Sequence, residues 1–109
     1  MVDNEAVVPH LWHLEAANVL LGAEKRRDLA VGEVEGFITQ LESLPIQVDP
    51  LTAQQAFSRT IGLSRAYKLS SYDASYLELA IREGLPLTTL DKDLKKAAKK
   101  AGVTLYLTD

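Results

Sequence analysis

Three carboxylates fall at positions where an acid is either costly or aimed at a ligand. Glu15 sits in the run Leu11-Trp12-His13-Leu14-Glu15-Ala16-Ala17-Asn18-Val19. Helical spacing puts it on one stripe with Leu11 and Val19 and beside Trp12 and Ala16, which turns it towards an apolar interior. A carboxylate goes there when it is paired or bound to a metal. The plainer alternative is a buried ion pair or a hydrogen bond to nearby backbone, although no Lys or Arg shares the stripe. Asp73 follows Ser70 by three residues. That spacing suits a capping box and the positive end of a helix dipole. Asp73 is also in line with Leu77, Ala80, Ile81 and Gly84, the face expected to point inward. Asp91 directly follows the apolar run Leu87 to Leu90 and opens a Lys-rich segment. There it is either a helix N-cap or an acid at the carboxyl edge of a sheet, where open α/β folds bind ligands. Carboxylates drawn together repel unless a divalent cation neutralises them. An all-oxygen donor set suits Mg²⁺ or Mn²⁺ rather than zinc.

Other features carry less chemistry. His10 and His13 flank Trp12 and lack the i, i+4 spacing of a helical metal pair, so they read as surface or packing histidines. Neither a G-x-S-x-G elbow nor a phosphate-cradling glycine loop is present. Lys92, Lys95, Lys96, Lys99 and Lys100, against Asp91 and Asp93, give that segment a local charge of 5 − 2 = +3. Such a face is usually just solvated; beside an acidic metal site it could hold a nucleic-acid backbone.

The elements that position these residues can be read from periodicity and punctuation. A first helix starts at Pro9, a residue suited to a first turn, and runs through Leu21 with apolar residues on nearly every side, the pattern of a buried helix. Arg26 and Arg27 suit its C-terminal end. A second helix spans about Val31 to Glu42, stopped by Pro45. Ile46 to Asp49 alternates as a short strand. A third helix runs from Thr52 to about Tyr67, with Ala56, Phe57, Thr60, Ile61 and Ser64 inward. Ser70 and Ser71 offer caps for a fourth, Tyr72 to Glu83, closed by Gly84. Pro86 to Leu90 is a strand, Asp91 caps a fifth helix ending at Gly102, and Val103 to Leu107 is the last strand. Strands alternating with helices predict an α/β fold, a short parallel sheet flanked by about five helices. The first helix has no strand predicted before it, only Val7 and Val8, so the front of the fold looks missing.

Composition bounds the function. At 109 residues the chain is expected to be one domain. With 12 Lys and Arg against 15 Asp and Glu the net charge is −3, which excludes a globally basic nucleic-acid binder but permits a local basic patch. A hydrophobic fraction of 47% with 25% charged residues is that of a folded globular domain. The absence of cysteine removes disulfides, thiolate zinc sites and cysteine nucleophiles. With neither a membrane-length apolar run nor a secretory signal in Met1 to Val8, a cytoplasmic location is expected.

Three segments together resemble a known family. Val8-Pro9-His10-Leu11-Trp12-His13-Leu14-Glu15-Ala16-Ala17-Asn18-Val19-Leu20 is similar to the E-x-x-N-x-L helix of PIN-domain proteins of the VapC toxin type. Ser71-Tyr72-Asp73-Ala74-Ser75-Tyr76-Leu77 resembles their Y-D-A-x-Y motif, and Leu85-Pro86-Leu87-Thr88-Thr89-Leu90-Asp91-Lys92-Asp93-Leu94 their L-P-L-x-T-x-D-x-x-L segment. Gly102-Val103 matches the turn into their last strand. The resemblance runs from about residue 7 to the end. It implies a Mg²⁺-dependent endoribonuclease, neutralised by a VapB-type antitoxin; a homodimer is expected because a sheet lacking its first strand presents open edges that a second copy can fill. Glu15, Asp73 and Asp91 would hold the metal, Asp93 would assist, and Thr89, Lys92 and Lys95 would meet the substrate. The family's first strand and its terminal acid have no counterpart here, and Asp3 stands too close to Glu15 to supply that acid. The expectation is an N-terminally shortened PIN-like domain, without its N-terminal strand and first acid. Two other readings stay open: a catalytically inactive PIN remnant serving as a protein-binding or dimerisation module, and a small phosphoacceptor or nucleotide-binding domain, against which the missing glycine loop counts.

Overall fold

The computed structural model describes residues 6–106. The chain divides into two compact units, Met1–Val48 and Asp49–Asp109. In the first, strand β1 (Ala6–Val8) leads through helices α1 (Trp12–Lys25) and α2 (Val31–Glu42) to strand β2 (Ile46–Val48). The strands are parallel, with Ala6 opposite Ile46 and Val8 opposite Val48. Parallel neighbours need a long crossover, which the two helices provide. The segment before the first helix, read from sequence as lacking a strand, is therefore a paired one.

The entry to α1 is fixed by Pro9, whose side chain is fully buried and whose carbonyl accepts from the Trp12 N–H at 3.0 Å. The helix ends on a left-handed residue, Arg27 (φ 62°), and the Asp28 N–H closes it on the Ala23 carbonyl at 2.9 Å. In α2 the Glu33 carboxylate accepts from the Ala30 N–H at 3.0 Å and supports its first turn. The expectation of a buried first helix is corrected: only Ala23 of α1 is buried, while Leu14, Val19 and Leu21 are 58–73% exposed. Within this unit one helix and two three-residue strands offer too little surface to cover a helix that is apolar on all sides.

The second unit is built from three helices. The first, α3, is continuous but changes pitch: Thr52–Gln55 is α-helical, Ala56–Thr60 is a π-helical turn, and Ile61–Tyr67 returns to α. Helices α4 (Ser71–Glu83) and α5 (Lys92–Ala101) complete the unit. Their apolar faces meet in a core of Leu69, Ala74, Leu77, Ala80, Leu87, Leu94, Ala97 and Ala98. Each large side chain buried there contributes about 1.5–3 kcal/mol. The caps anticipated from sequence are present. Ser70 Oγ accepts from the Asp73 N–H at 3.1 Å. Gly84 (φ 65°) and Gly102 (φ 80°) close α4 and α5, and the Leu85 and Val103 N–H groups return to the Ala80 and Ala98 carbonyls.

Two expectations fail in this unit. Phe57, expected inward, is 92% exposed. The π turn at Ala56–Thr60 widens the helical period around Phe57 and turns it outward, while Thr60, also expected inward, is buried as expected. The strands expected over Pro86 to Leu90 and Val103 to Leu107 reduce, among the described residues, to a single parallel bridge, Leu87 to Leu105. Leu87 donates its N–H to the Thr104 carbonyl (2.8 Å) and accepts from the Tyr106 N–H (2.9 Å). Thr88 to Leu90 make no ladder, and Leu90 is 84% exposed. Leu107, the expected end of the last strand, and Asp3 lie outside the described residues.

Candidate active site

Each acid singled out from sequence has a defined local setting. Glu15 is in the first turn of α1, half-buried alongside Leu11, Trp12 and Ala16 rather than sunk in a core. Asp73 is in the first turn of α4, half-buried next to the buried Ala74 and Leu77. Asp91 is the N-cap of α5: its Oδ2 accepts from the Leu94 N–H at 2.8 Å. Its own N–H donates to Thr89 Oγ1 at 3.1 Å, so the Thr89 side chain sets the backbone that presents this carboxylate. Asp93 and Lys92 are exposed and Lys95 is half-buried.

Capping and ligand binding are not exclusive at Asp91. One oxygen holds the helix, while Oδ1 has no partner among the described residues. Asp73 and Asp91 thus both stand in the opening turns of helices in the second unit, and Glu15 belongs to the first. Carboxylate oxygens are the donors that Mg²⁺ and Mn²⁺ prefer, so in kind the residues fit a hard cation. In neither unit are three or more His, Asp or Glu side chains of the described residues gathered closely enough to hold a metal. His10 and His13 are exposed, and His13 packs edge-on to Trp12 with ring centroids 5.0 Å apart.

Charges that the sequence did not flag are concentrated elsewhere in the second unit. Arg82 on α4 forks onto Asp49, with Nη2 to Oδ2 at 2.6 Å and Nη1 to Oδ1 at 3.1 Å. Its Nε and Nη2 also reach Glu78 at 2.8 and 2.9 Å. Asp49 and Glu78 are only 4% and 3% exposed. Asp49 accepts further from the Leu51 N–H and the Thr52 hydroxyl. Burial alone would raise the Asp49 carboxyl, but the hydrogen bonds from Arg82, Leu51 and Thr52, with the Arg82 charge, outweigh it and hold the group below its ordinary value. The bonds to Glu78 and then Asp49 raise the Arg82 guanidinium in turn, against its own desolvation. This cluster ties the start of the second unit to α4. Its local half was legible as the i, i+4 pair Glu78–Arg82; Asp49, 33 residues from Arg82, carried only a strand-end position before Pro50.

The first unit presents an apolar trough of about 680 Å³ between α1 and α2, floored by Ala16, Leu20, Val34 and Ile38 and rimmed by Glu24, Glu35 and Glu42. No helix among the described residues is long and apolar enough to cross a membrane.

Compared with known protein families, the sequence matches the PIN domain over residues 2–100. No curated protein matches the chain significantly. The matched span contains all three acids, the Thr89 turn and the lysines that come after it.

Proposed function

Since this chain belongs to the PIN domain family, in general a family of nucleases, we propose that it hydrolyses RNA phosphodiesters as the toxin of a toxin–antitoxin pair of the VapC type. The observation that carries this reading is the family match over residues 2–100, from before β1 into the last turn of α5, with Glu15, Asp73 and Asp91 at helix starts inside it. Glu15, Asp73 and Asp91 would hold a divalent cation, Mg²⁺ or Mn²⁺, with Asp93 assisting. When bound, that cation supplies charge neutralisation at the scissile phosphate and a more acidic water. The remaining work belongs to the chain. Thr89 orients Asp91 through the hydrogen bond to its N–H, and the Leu94 N–H holds one carboxylate oxygen in place and leaves the other available. Lys92 and Lys95, in the turn that Asp91 caps, attract the phosphodiester.

In this reading the antitoxin is a VapB-type protein. The apolar trough of the first unit, with its acidic rim, suits an amphipathic helix carrying basic flanks. A homodimer is also part of the proposal, supported by apolar surface left open on α1. A second reading, a PIN fold kept as a binding module without catalysis, is favoured by the lack of a three-acid group among the described residues of either unit.

Incubation of single-stranded RNA with the protein in Mg²⁺ or Mn²⁺, beside a Glu15→Gln variant, separates the two readings. Cleavage by the natural sequence and its loss in the variant supports the nuclease. Intact RNA with both proteins, under conditions where both are folded, supports the binding module.

A further inference from the structure

Helix α5 divides the chain's charge unevenly. Lys92, Lys95, Lys96, Lys99 and Lys100 stand against Asp93 alone, a helix charge of 5 − 1 = +4 in a chain of −3, so all other residues together carry −7. At 3.6 residues per turn the five lysines fall within an arc of about 140°. The opposite arc, Leu94, Ala97 and Ala98, is buried in the core of the second unit. Four of the five lysines are exposed and Lys95 is half-buried; among the described residues none forms an ion pair.

This is not the pattern of a face that serves solubility. Such helices interleave signs, whereas here Lys92–Lys96, Lys95–Lys99 and Lys96–Lys100 are like-charge i, i+4 pairs that repel in the free protein. Lys92 and Lys95 also sit at the helix end whose dipole disfavours cations. A polyanion laid along the ridge relieves both costs and releases its own counterions. An anionic membrane surface fits less well, because a helix that binds one inserts an apolar face, and the apolar face of α5 is already spent in the core.

We infer that the lysine face of α5 is a phosphate track for single-stranded RNA, running from Lys100 to Lys92 and delivering the strand to Asp91 at the helix cap. The ridge is about 12 Å long, the reach of a few consecutive phosphates. The inference rests on the nuclease reading for the identity of the substrate, but binding is measurable without cleavage.

The test is fluorescence anisotropy of a labelled single-stranded RNA in EDTA, over a salt series. The proteins compared are the natural sequence, Lys92→Gln with Lys96→Gln and Lys99→Gln, and a control of equal charge change, Lys25→Gln with Arg59→Gln and Arg65→Gln. All six positions are exposed, and Gln keeps helix propensity, so the folds are expected to hold, as circular dichroism will check. The ridge variant is expected to lose about 30- to 100-fold in affinity near 0.1 M salt, with the slope of log K against log salt reduced by about 2. The control is expected to lose about threefold or less, from net charge alone. DNA of the same sequence distinguishes a general backbone track from one that reads the 2′-hydroxyl. Equal losses in both triple variants, no loss in the ridge variant, or binding to phosphatidylserine vesicles but not to RNA would overturn the inference. RNA that binds as expected but is never cleaved in Mg²⁺ or Mn²⁺ would leave the track standing and sink the nuclease reading.

Discussion

Asp91 shows how one residue answers to two requirements, and how they can be separated. Its side chain caps α5, and Asn caps a helix as well as Asp does. Asp91→Asn should therefore leave thermal stability within about 0.5 kcal/mol while abolishing RNA cleavage, because it removes only charge. Asp91→Ala should cost about 1 kcal/mol as well as activity. The Arg82 cluster behaves in the opposite way. Removing the arginine leaves Asp49 and Glu78 buried without their cation, so Arg82→Met should destabilise the protein by about 3–5 kcal/mol in urea unfolding. The pH dependence comes from Asp49. Its folded carboxyl lies below the ordinary aspartate value of 3.8, so its contribution is complete above that value and is lost as pH falls through the lower, folded one. Urea midpoints measured downward from about pH 5 should fall steeply below 3.8, and Asp49→Asn should flatten that fall. A midpoint equally steep in the variant would assign the acid sensitivity elsewhere. Sequence alone could place the Glu78–Arg82 half of this cluster, because i, i+4 neighbours are a local property; the Asp49 half depends on a contact that only folding makes.

At the scale of elements, what was legible is what local chemistry controls. Val34, Ile38 and Leu41 set α2, and the structure gives it the anticipated bounds. Ser70 and Gly84 mark the ends of α4 through a cap hydrogen bond and a left-handed backbone. Gly84→Ala meets no atom within 4 Å, so its cost is the backbone alone, about 1–2 kcal/mol. The errors have tertiary causes. Phe57 points inward only on an unbroken 3.6 period, and the π turn at Ala56–Thr60 breaks that period. Leu87 to Leu90 has strand composition, but within its unit it meets one neighbouring segment at one bridge, so the pairing stops at Leu87. The helix after the π turn carries a polar atom that nothing requires: Ser64 Oγ is buried without a partner among the described residues. Ser64→Ala should be neutral or stabilising by up to about 1 kcal/mol, readable as a raised melting temperature. A loss of stability would mean that the hydroxyl is satisfied in solution.

For the molecule as a whole, charge and apolar surface are distributed more informatively than composition suggests. A net −3 hides the +4 helix, and a 47% hydrophobic content leaves Leu14 and Leu21, seven residues apart on one stripe of α1, more than half exposed. If that stripe pairs with a second copy, light scattering at micromolar concentration should report twice the 12.0 kDa chain mass, and Leu14→Glu should restore the monomer. The fold class was legible because alternating strands and helices allow few architectures. Sequence alone did not show that Glu15 lies in one compact unit and Asp73 and Asp91 in the other. Whether these acids serve phosphodiester hydrolysis is decided by cleavage of single-stranded RNA in Mg²⁺ or Mn²⁺ by the natural protein and by Asp91→Asn at matched stability. Metal-dependent products are expected from the first and none from the second; equal cleavage by both, or none by either, would contradict the nuclease assignment.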